Sequence, residues 1–357
     1  MISKEIMFFV ILSVENSIYF IFLLSLIYRK ESMVRGMDEF SFIGSIQQPH
    51  YRQSSLIKGI GDDAAVFRPQ YQDLVTAKDM FVENVHFAKH TMHPYHIGYK
   101  ALAANLSDLA AMGAKPLFYL VGISISDRWS SSEINEIFRG MKKIADTYKI
   151  DLIGGDTVSG KELVISITVI GDTDKARYRS LAKEGDVIFV TGTLGDSQAG
   201  LHILNNRGIF RDEDYYMTRH QMPSPRVEFS QGLQKISRLA LNDISDGIAS
   251  EANEIAEASK VSIMIYEDRL PVHPTFIQFD SELQNKWKLF GGEDFELLGA
   301  VPKHDWKNVQ QVASQLKVPI TKIGYVSSRN SVGQVFLQRK NEKLERLEKK
   351  GYNHLSR

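Results

Sequence analysis

The chain has 357 residues, enough for two domains of ordinary size, and its 43% apolar and 24% charged residues suit a globular core. Lys plus Arg equals Asp plus Glu at 43 each, which argues against a general nucleic-acid binder, since such proteins carry a basic excess. The absence of cysteine excludes disulfides, thiolate catalysis, zinc–thiolate sites and Fe–S clusters, and it fits a reducing cytoplasm.

The chain opens on an apolar run, Met7 to Ile27, followed by Tyr28-Arg29-Lys30. Its length suits a membrane span. Glu15 and Asn16 fall inside it, however, and a carboxylate mid-span costs about 2.5–3.5 kcal/mol on insertion scales. No small-residue cleavage site follows. Three readings stand open for residues 1–36: an anchor, an amphipathic extension, or upstream sequence translated from a start codon placed too early. The last is preferred, because Met37-Asp38-Glu39-Phe40 opens what reads as an ordinary soluble domain.

From there strands and helices mix. Residues 56–67 read as a short strand entering a Gly-Asp loop, and 73–87 as a strand carrying Asp79. Residues 95–112 read as a helix, with Leu102, Leu106 and Leu109 on one stripe and Asn105 and Asp108 sharing another face. Strands are expected at 117–125, 150–155 and 162–171, with a helix at 131–148. A polar stretch from Asp172 to Asp186 marks a boundary, giving a domain at 37–171 and a second at 172–357. The second holds expected strands at 186–192, 261–266 and 295–301, and helices at 196–204 and within 243–259. The lysine-rich stretch from Arg339 to Lys350 reads as a solvated surface segment. The class is α/β or α+β, with mixed sheets flanked by helices.

Acidic residues beside glycines recur at Gly61-Asp62-Asp63, Gly154-Gly155-Asp156, Asp243-Ile244-Ser245-Asp246-Gly247 and Gly291-Gly292-Glu293-Asp294. Glycine permits close backbone approach, and a carboxylate beside it offers a hard oxygen ligand. Magnesium on nucleotide phosphates wants that combination. Each motif also has a plain structural reading: Asp62 and Asp63 as turn residues, Asp108 as a solvent-facing helix residue, Asp243 and Asp246 as helix N-caps, His86 as a core histidine, Glu293 and Asp294 as turn acids. Their joint occurrence favours one polyphosphate site assembled from distant segments. Gly155 to Lys161 imitates a phosphate loop, but Glu162 stands where Ser or Thr is needed and a strand follows instead of a helix.

Several spaced motifs carry a resemblance. They are GIGDDAAVF at 59–67, DMFVENVHF at 79–87, KALAANLSDLAAMGAKP at 100–116, LIGGDTVSG at 152–160, VTGTLGDSQAGL at 190–201, RHQMPSPR at 219–226, ISDGIASE at 244–251, GGEDFELL at 291–298 and KGYNHL at 350–355. From about Met37 onward the chain resembles the thiamine-monophosphate kinases of the aminoimidazole-ribonucleotide-synthetase-like superfamily. The resemblance implies that superfamily's two-domain fold and ATP-dependent phosphorylation of thiamine monophosphate to thiamine diphosphate, the final step in making that cofactor. It implies several magnesium ions and a cytoplasmic homodimer paired through the N-terminal domain. Carried over by position, Asp63, Asp79, Asp108, Asp156, Asp243 and Asp246 are implied magnesium ligands. Gly155, Asp156, Arg179 and Ser245 are implied ATP contacts, and His86, Glu293 and Tyr352 implied substrate contacts. Glu293 would set a carboxylate near the cationic thiazolium ring. One departure stands out: Ala77 and Lys78 occupy positions where the family carries small hydroxyl residues, so their backbone carbonyls or water would serve the metal.

Superfamily relatives that synthesise selenophosphate or mature hydrogenases use cysteine or selenocysteine, so a cysteine-free chain fits neither. From a different class, a non-catalytic nucleotide sensor tethered by residues 7–27 would lack turnover altogether. A chain beginning at Met37 is expected to fold, stay soluble and turn over at the full-length rate. Loss of folding, or firm membrane association of the full chain in cells, would overturn the early-start reading.

Overall fold

The computed structural model describes residues 44–58, 66–69, 73–328 and 332–350. Residues 7–27, Asp63 and Tyr352, all singled out from sequence, lie outside them. Of the stretch before Gln47 only 44–46 are described, in helical conformation, and the chain from Gln47 onward is one compact unit. Among the described residues no helix is long and apolar enough to cross a membrane.

The first layer is a mixed four-stranded sheet. After a small ladder of β1 (Leu56–Lys58) with β2 (Val66–Phe67), the chain forms β3 (Asp73–Val82), α1 (Pro94–Ala111), β4 (Lys115–Ile125), α2 (Ser131–Tyr148), β5 (Asp151–Ser159) and β6 (Val164–Thr173). The sheet order is β3-β6-β4-β5, with β4 and β5 parallel and the other pairs antiparallel. Period-two alternation on β3 turns Val75, Ala77, Asp79 and Phe81 inward and leaves Leu74, Lys78 and Met80 exposed.

Helix α2 starts at a capping box, in which Ser130 and Glu133 bond each other's backbone N–H. Its stripe of Ile134, Ile137, Phe138, Met141 and Ile144 is buried, and it packs against α1. Two glycines set that contact. A Cβ on Gly98 would sit 1.8 Å from the Ile137 carbonyl oxygen, and one on Gly140 1.8 Å from that of Tyr95. Only glycine at both positions lets the two backbones touch.

The second layer runs through β7 (Val187–Thr191), α3 (Asp196–Asn205), α4 (Glu213–Gln221), α5 (Val227–Gly232), β8 (Ala240–Asp243), α6 (Ile248–Ser259), β9 (Ser262–Tyr266), α7 (Ser281–Phe290), β10 (Leu297–Val301), α8 (Trp306–Leu316), β11 (Ile320–Ser327), β12 (Gln334–Gln338) and β13 (Leu344–Arg346). These strands form a seven-stranded sheet in the order β13-β12-β9-β11-β7-β10-β8, with β12 parallel to β9 and the rest antiparallel. Ile248, Ala252 and Ile255 of α6 pack on Ile188, Val190, Ile263, Ile265 and Leu298. The stretch expected to be a solvated segment is largely exposed but contributes β13, and Leu347 is buried in the core beside Val335 and Leu337, its N–H bonded to the Val335 carbonyl at 2.8 Å.

Helix α1 joins the layers. It packs on β3 and β6, on α2, and on α5 and β8. The leucine stripe is buried as expected, but so are Lys100, Asn105 and Ser107 on its other faces. The polar side of this helix therefore faces protein, not solvent.

A buried charge cluster braces the segment between α7 and β10. Glu296 is fully buried and accepts from Arg219 at 2.7 Å, from Arg226 Nε at 2.6 Å and from Thr191 at 2.6 Å. Burial by itself would raise the Glu296 pKa, but Arg226 and Arg219 outweigh it and hold the group below its ordinary 4.5. A carboxylate with a depressed folded pKa adds stability above its unfolded value and loses it as the pH falls through the folded one. Glu296→Gln is therefore expected to cost about 3 kcal/mol at neutral pH, the scale of breaking a buried ion pair. Urea unfolding at a series of pH values should show that difference shrinking below pH 4.5. A pH-independent difference would refute an ionic Glu296.

Candidate active site

Three of the aspartates singled out from sequence meet where the two layers join. Asp79 is on β3, Asp108 near the end of α1, and Asp243 at the end of edge strand β8. Local structure delivers each one. Asn105, one turn before Asp108, accepts from the Asp79 backbone N–H at 3.1 Å and donates to the Ala101 carbonyl at 3.0 Å. Ser107 donates to Asp243 Oδ2 at 2.8 Å, tying α1 to the second sheet. Neither Asp243 nor Asp246 caps α6, whose N-cap is Gly247 at φ 104° with no side-chain cap.

These acids crowd one another. Burial raises the Asp79 pKa, opposed by a hydrogen bond with Asp108. Burial, then Asp243 and Asp79, push Asp108 up to about 9. Asp243 rises to about 6 through burial, opposed by the Ser107 hydroxyl. A fourth acid, Glu251, is pushed to about 9 by burial and by Asp243. It accepts from Asn242, from the Asp246 N–H at 3.1 Å and from Ser245 at 3.4 Å, and so straps the Asp-Ile-Ser-Asp turn to α6. Arg179 supplies the nearby cation. It is half-exposed, in a short 3-10 turn, and held by Asn242 at 2.9 Å and Glu254 at 3.2 Å.

Among the described residues, no three carboxylate or imidazole side chains converge closely enough to hold a metal ion by themselves. The donor set still fits magnesium. It is all oxygen, and its mutual repulsion calls for protons or a divalent cation. Magnesium takes only one or two carboxylates and completes its shell with water and phosphate oxygens.

Other expected residues fall elsewhere. Gly155 and Asp156 lie on β5, which runs straight through the glycines instead of ending in a loop. Register places Asp79, Ile167, Val121 and Gly155 in one row, so Gly155 is three strand spacings, about 14 Å, from Asp79. Gly155 has a packing role of its own, because a Cβ there would meet the Val121 carbonyl oxygen at 2.0 Å. Asp156 is exposed on the same edge strand. The phosphate-loop imitation is the end of β5 and the turn that leads across β4 to β6. Ala77 shares Asp79's face, whereas alternation puts the Lys78 side chain on the opposite, exposed face, away from the acids.

Beside the acidic cluster lies a second group. Glu293 has φ 67°, its N–H donates to the Ser245 carbonyl at 2.7 Å, and its side chain is a quarter exposed. Lys100, fully buried on α1, donates to it at 2.8 Å. His86 stacks on Phe81 at 5.2 Å between ring centres, and its Nδ1 accepts from the Val82 N–H at 3.1 Å, which leaves Nε2 as donor. His220 stands 3.9 Å from Glu293 and 3.0 Å from Ser197, and burial pushes its pKa down to about 3, so it is neutral near pH 7. Asp294 serves structure: it accepts from the Gly195 and Ser197 N–H groups at the start of α3.

Sequence reasoning missed Lys100, Asn105, Ser107, His220 and Glu251. Lys100 left one signal, a lone cation in a run otherwise rich in Ala and Leu. Glu251 sits inside the ISDGIASE motif, with no local feature to set it apart from other helix glutamates.

Comparisons with known proteins agree with this architecture. Residues 61–173 match the AIR synthase related protein N-terminal domain and residues 183–335 its C-terminal domain. The thiamine-monophosphate kinase of Bacillus subtilis (strain 168) is 47% identical over 327 residues, covering 89% of this chain and 99% of that one. Among solved structures, the thiamine-monophosphate kinase of Stenotrophomonas maltophilia K279a superposes with a TM-score of 0.75 at 29% identity, covering 86% of this chain and 97% of that one. A structure described as AaThiL complexed with AMPPCP and TMP has a TM-score of 0.70 at 31% identity, covering 84% of this chain and 92% of that one. With both halves matched in order and nearly the whole relative spanned, the chain belongs to the thiamine-monophosphate kinase family.

Proposed function

We infer that the protein transfers the γ-phosphoryl group of ATP to the phosphate of thiamine monophosphate, giving ADP and thiamine diphosphate. The observation that carries this reading is the convergence of Asp79, Asp108 and Asp243, from both layers, on one crowded acidic cluster beside Arg179. The relative solved with AMPPCP and TMP supports the same pair of ligands.

The attacking atom is an oxygen of the substrate's own phosphate, so the chain needs no general base and forms no phosphoenzyme. The barrier lies in bringing two polyanions into line. Asp79, Asp108 and Asp243 would hold magnesium, with Asp63 and Asp246 as further candidates. When bound, magnesium neutralises phosphate charge and favours in-line displacement. Asn105 and Ser107 fix two of the acids from one helix. Arg179, braced at Nε by Asn242, presents a half-exposed guanidinium to phosphate oxygens. Ser245, bonded to Glu251, would be a further nucleotide contact. Glu293 and His86 would form the thiamine side, with Tyr352 as a further candidate contact.

A cytoplasmic homodimer is part of the reading. The outer face of the first sheet exposes Leu74, Met80 and Val158, and pairing through it would cover them. Asp156 and Gly155, too far from their own acidic cluster, would then serve the site of a second copy.

Incubation with ATP, magnesium and thiamine monophosphate is expected to yield ADP and thiamine diphosphate in equal amounts. ATP binding without product would reduce the protein to a nucleotide sensor. Asp108→Asn is expected to lower turnover by at least about a hundredfold, the scale of a lost metal ligand. It relieves like-charge crowding, so the metal-free melting temperature should hold or rise. Near-normal turnover at saturating magnesium would remove Asp108 from the ligand set.

A further inference from the structure

Helix α1 carries two functional clusters. Asp108 sits in the acidic group, and eight residues earlier Lys100 bonds Glu293. Eight residues of helix span about 12 Å, a separation suited to a substrate with heterocycles at one end and phosphate at the other. Lys100 has no exposed surface, so it cannot touch a ligand directly. It contacts the Glu293 carboxylate at 2.8 Å and the His220 Nδ1 at 3.4 Å. Glu293 is a quarter exposed, and its backbone sits at a positive φ that L residues rarely adopt, beside Ser245.

We propose that Lys100 is a positioning residue for substrate recognition: it holds Glu293 in one orientation and cancels its charge, so that this wall of the cleft selects its ligand by a directed hydrogen bond and not by net attraction for a cation. The proposal rests on the thiamine-monophosphate reading of the site and deepens it. A bare carboxylate would draw any cation, whereas one compensated from behind keeps a fixed acceptor with little net field. Neutral His220, bonded to Ser197, fills the remaining side of the ammonium group. The pair also joins the first sheet's helix to the second layer's loop, so the recognition wall is complete only when both layers are in register.

The test is a double-substitution cycle of Lys100→Met and Glu293→Gln in the full chain, run after the unsubstituted protein has been shown to turn over. Lys100→Met is expected to raise KM for thiamine monophosphate about tenfold, the scale of one charge-assisted hydrogen bond, while KM for ATP stays within about twofold. In the Glu293→Gln background the same change should add less than about twofold, because Lys100 acts through Glu293. Additive effects, or equal shifts in both KM values, would overturn the proposal. A single variant that fails to fold is replaced by a measurement on the unsubstituted protein. The Lys100 ammonium resonance in 15N-lysine-labelled protein should shift on adding thiamine monophosphate and not on adding ATP alone, and an unmoved resonance would overturn the proposal. A protein that makes no thiamine diphosphate fails the functional reading, whereas an active one with an additive cycle fails this inference alone.

Discussion

One helix buried on every side sets the terms for the rest of the molecule. Backbone contact at Gly98 and Gly140 presses α1 against α2, which leaves its remaining faces to the first sheet and to β8 and α5. A helix so enclosed cannot leave polar side chains unpaired, since each unpaired group would cost on the order of 1–3 kcal/mol. Lys100, Asn105 and Ser107 are accordingly each bonded, to Glu293, to the Asp79 backbone and to Asp243. Satisfying the helix and assembling the site are one and the same set of hydrogen bonds. That explains how carboxylates distant in sequence reach one place without a rigid loop to carry them.

The two charge clusters obey opposite rules. Around Glu296, anion and cations are matched, and the carboxylate stays ionised in spite of complete burial. This cluster stabilises the fold and anchors the positive-φ residues Glu293 and Phe295. Around Asp108, acids outnumber cations, and the pKa values rise instead. Such crowding opposes folding and is tolerated because the same geometry suits a cation bridged to phosphate. The distinction between a structural ion network and a functional one rests on whether the charges balance, not on how deeply they are buried.

Elements with strong local signals were legible in the sequence. The helix stripe of Leu102, Leu106 and Leu109, the helix at 131–148 and the strand at 186–192 all appear within a few residues of their expected bounds. At β5 the expected strand ended at residue 155, and the observed one runs past Gly154 and Gly155 to Ser159. There the sheet overrode propensity, because pairing with β4 satisfies their backbone groups and Val121 requires a residue without a Cβ. The stretch after Arg339 is largely exposed, as expected, but it also supplies the edge strand Leu344–Arg346 and the buried Leu347, which its charged composition hid.

The sequence by itself determined the chemistry on offer: no thiols, no net charge, and carboxylates repeated beside glycines in motifs that resemble one kinase family. Composition and local pattern depend only on neighbouring residues, so they were readable without coordinates. Tertiary structure alone decided which acids meet. It joined Asp79, Asp108 and Asp243, set Asp156 apart on an edge strand, and turned Lys78 away from the cluster. It also gave Glu293 a lysine partner 193 positions away. Such pairings depend on register and on the docking of layers, and a low-dielectric interior sets their energies, none of which is encoded in the spacing of a motif.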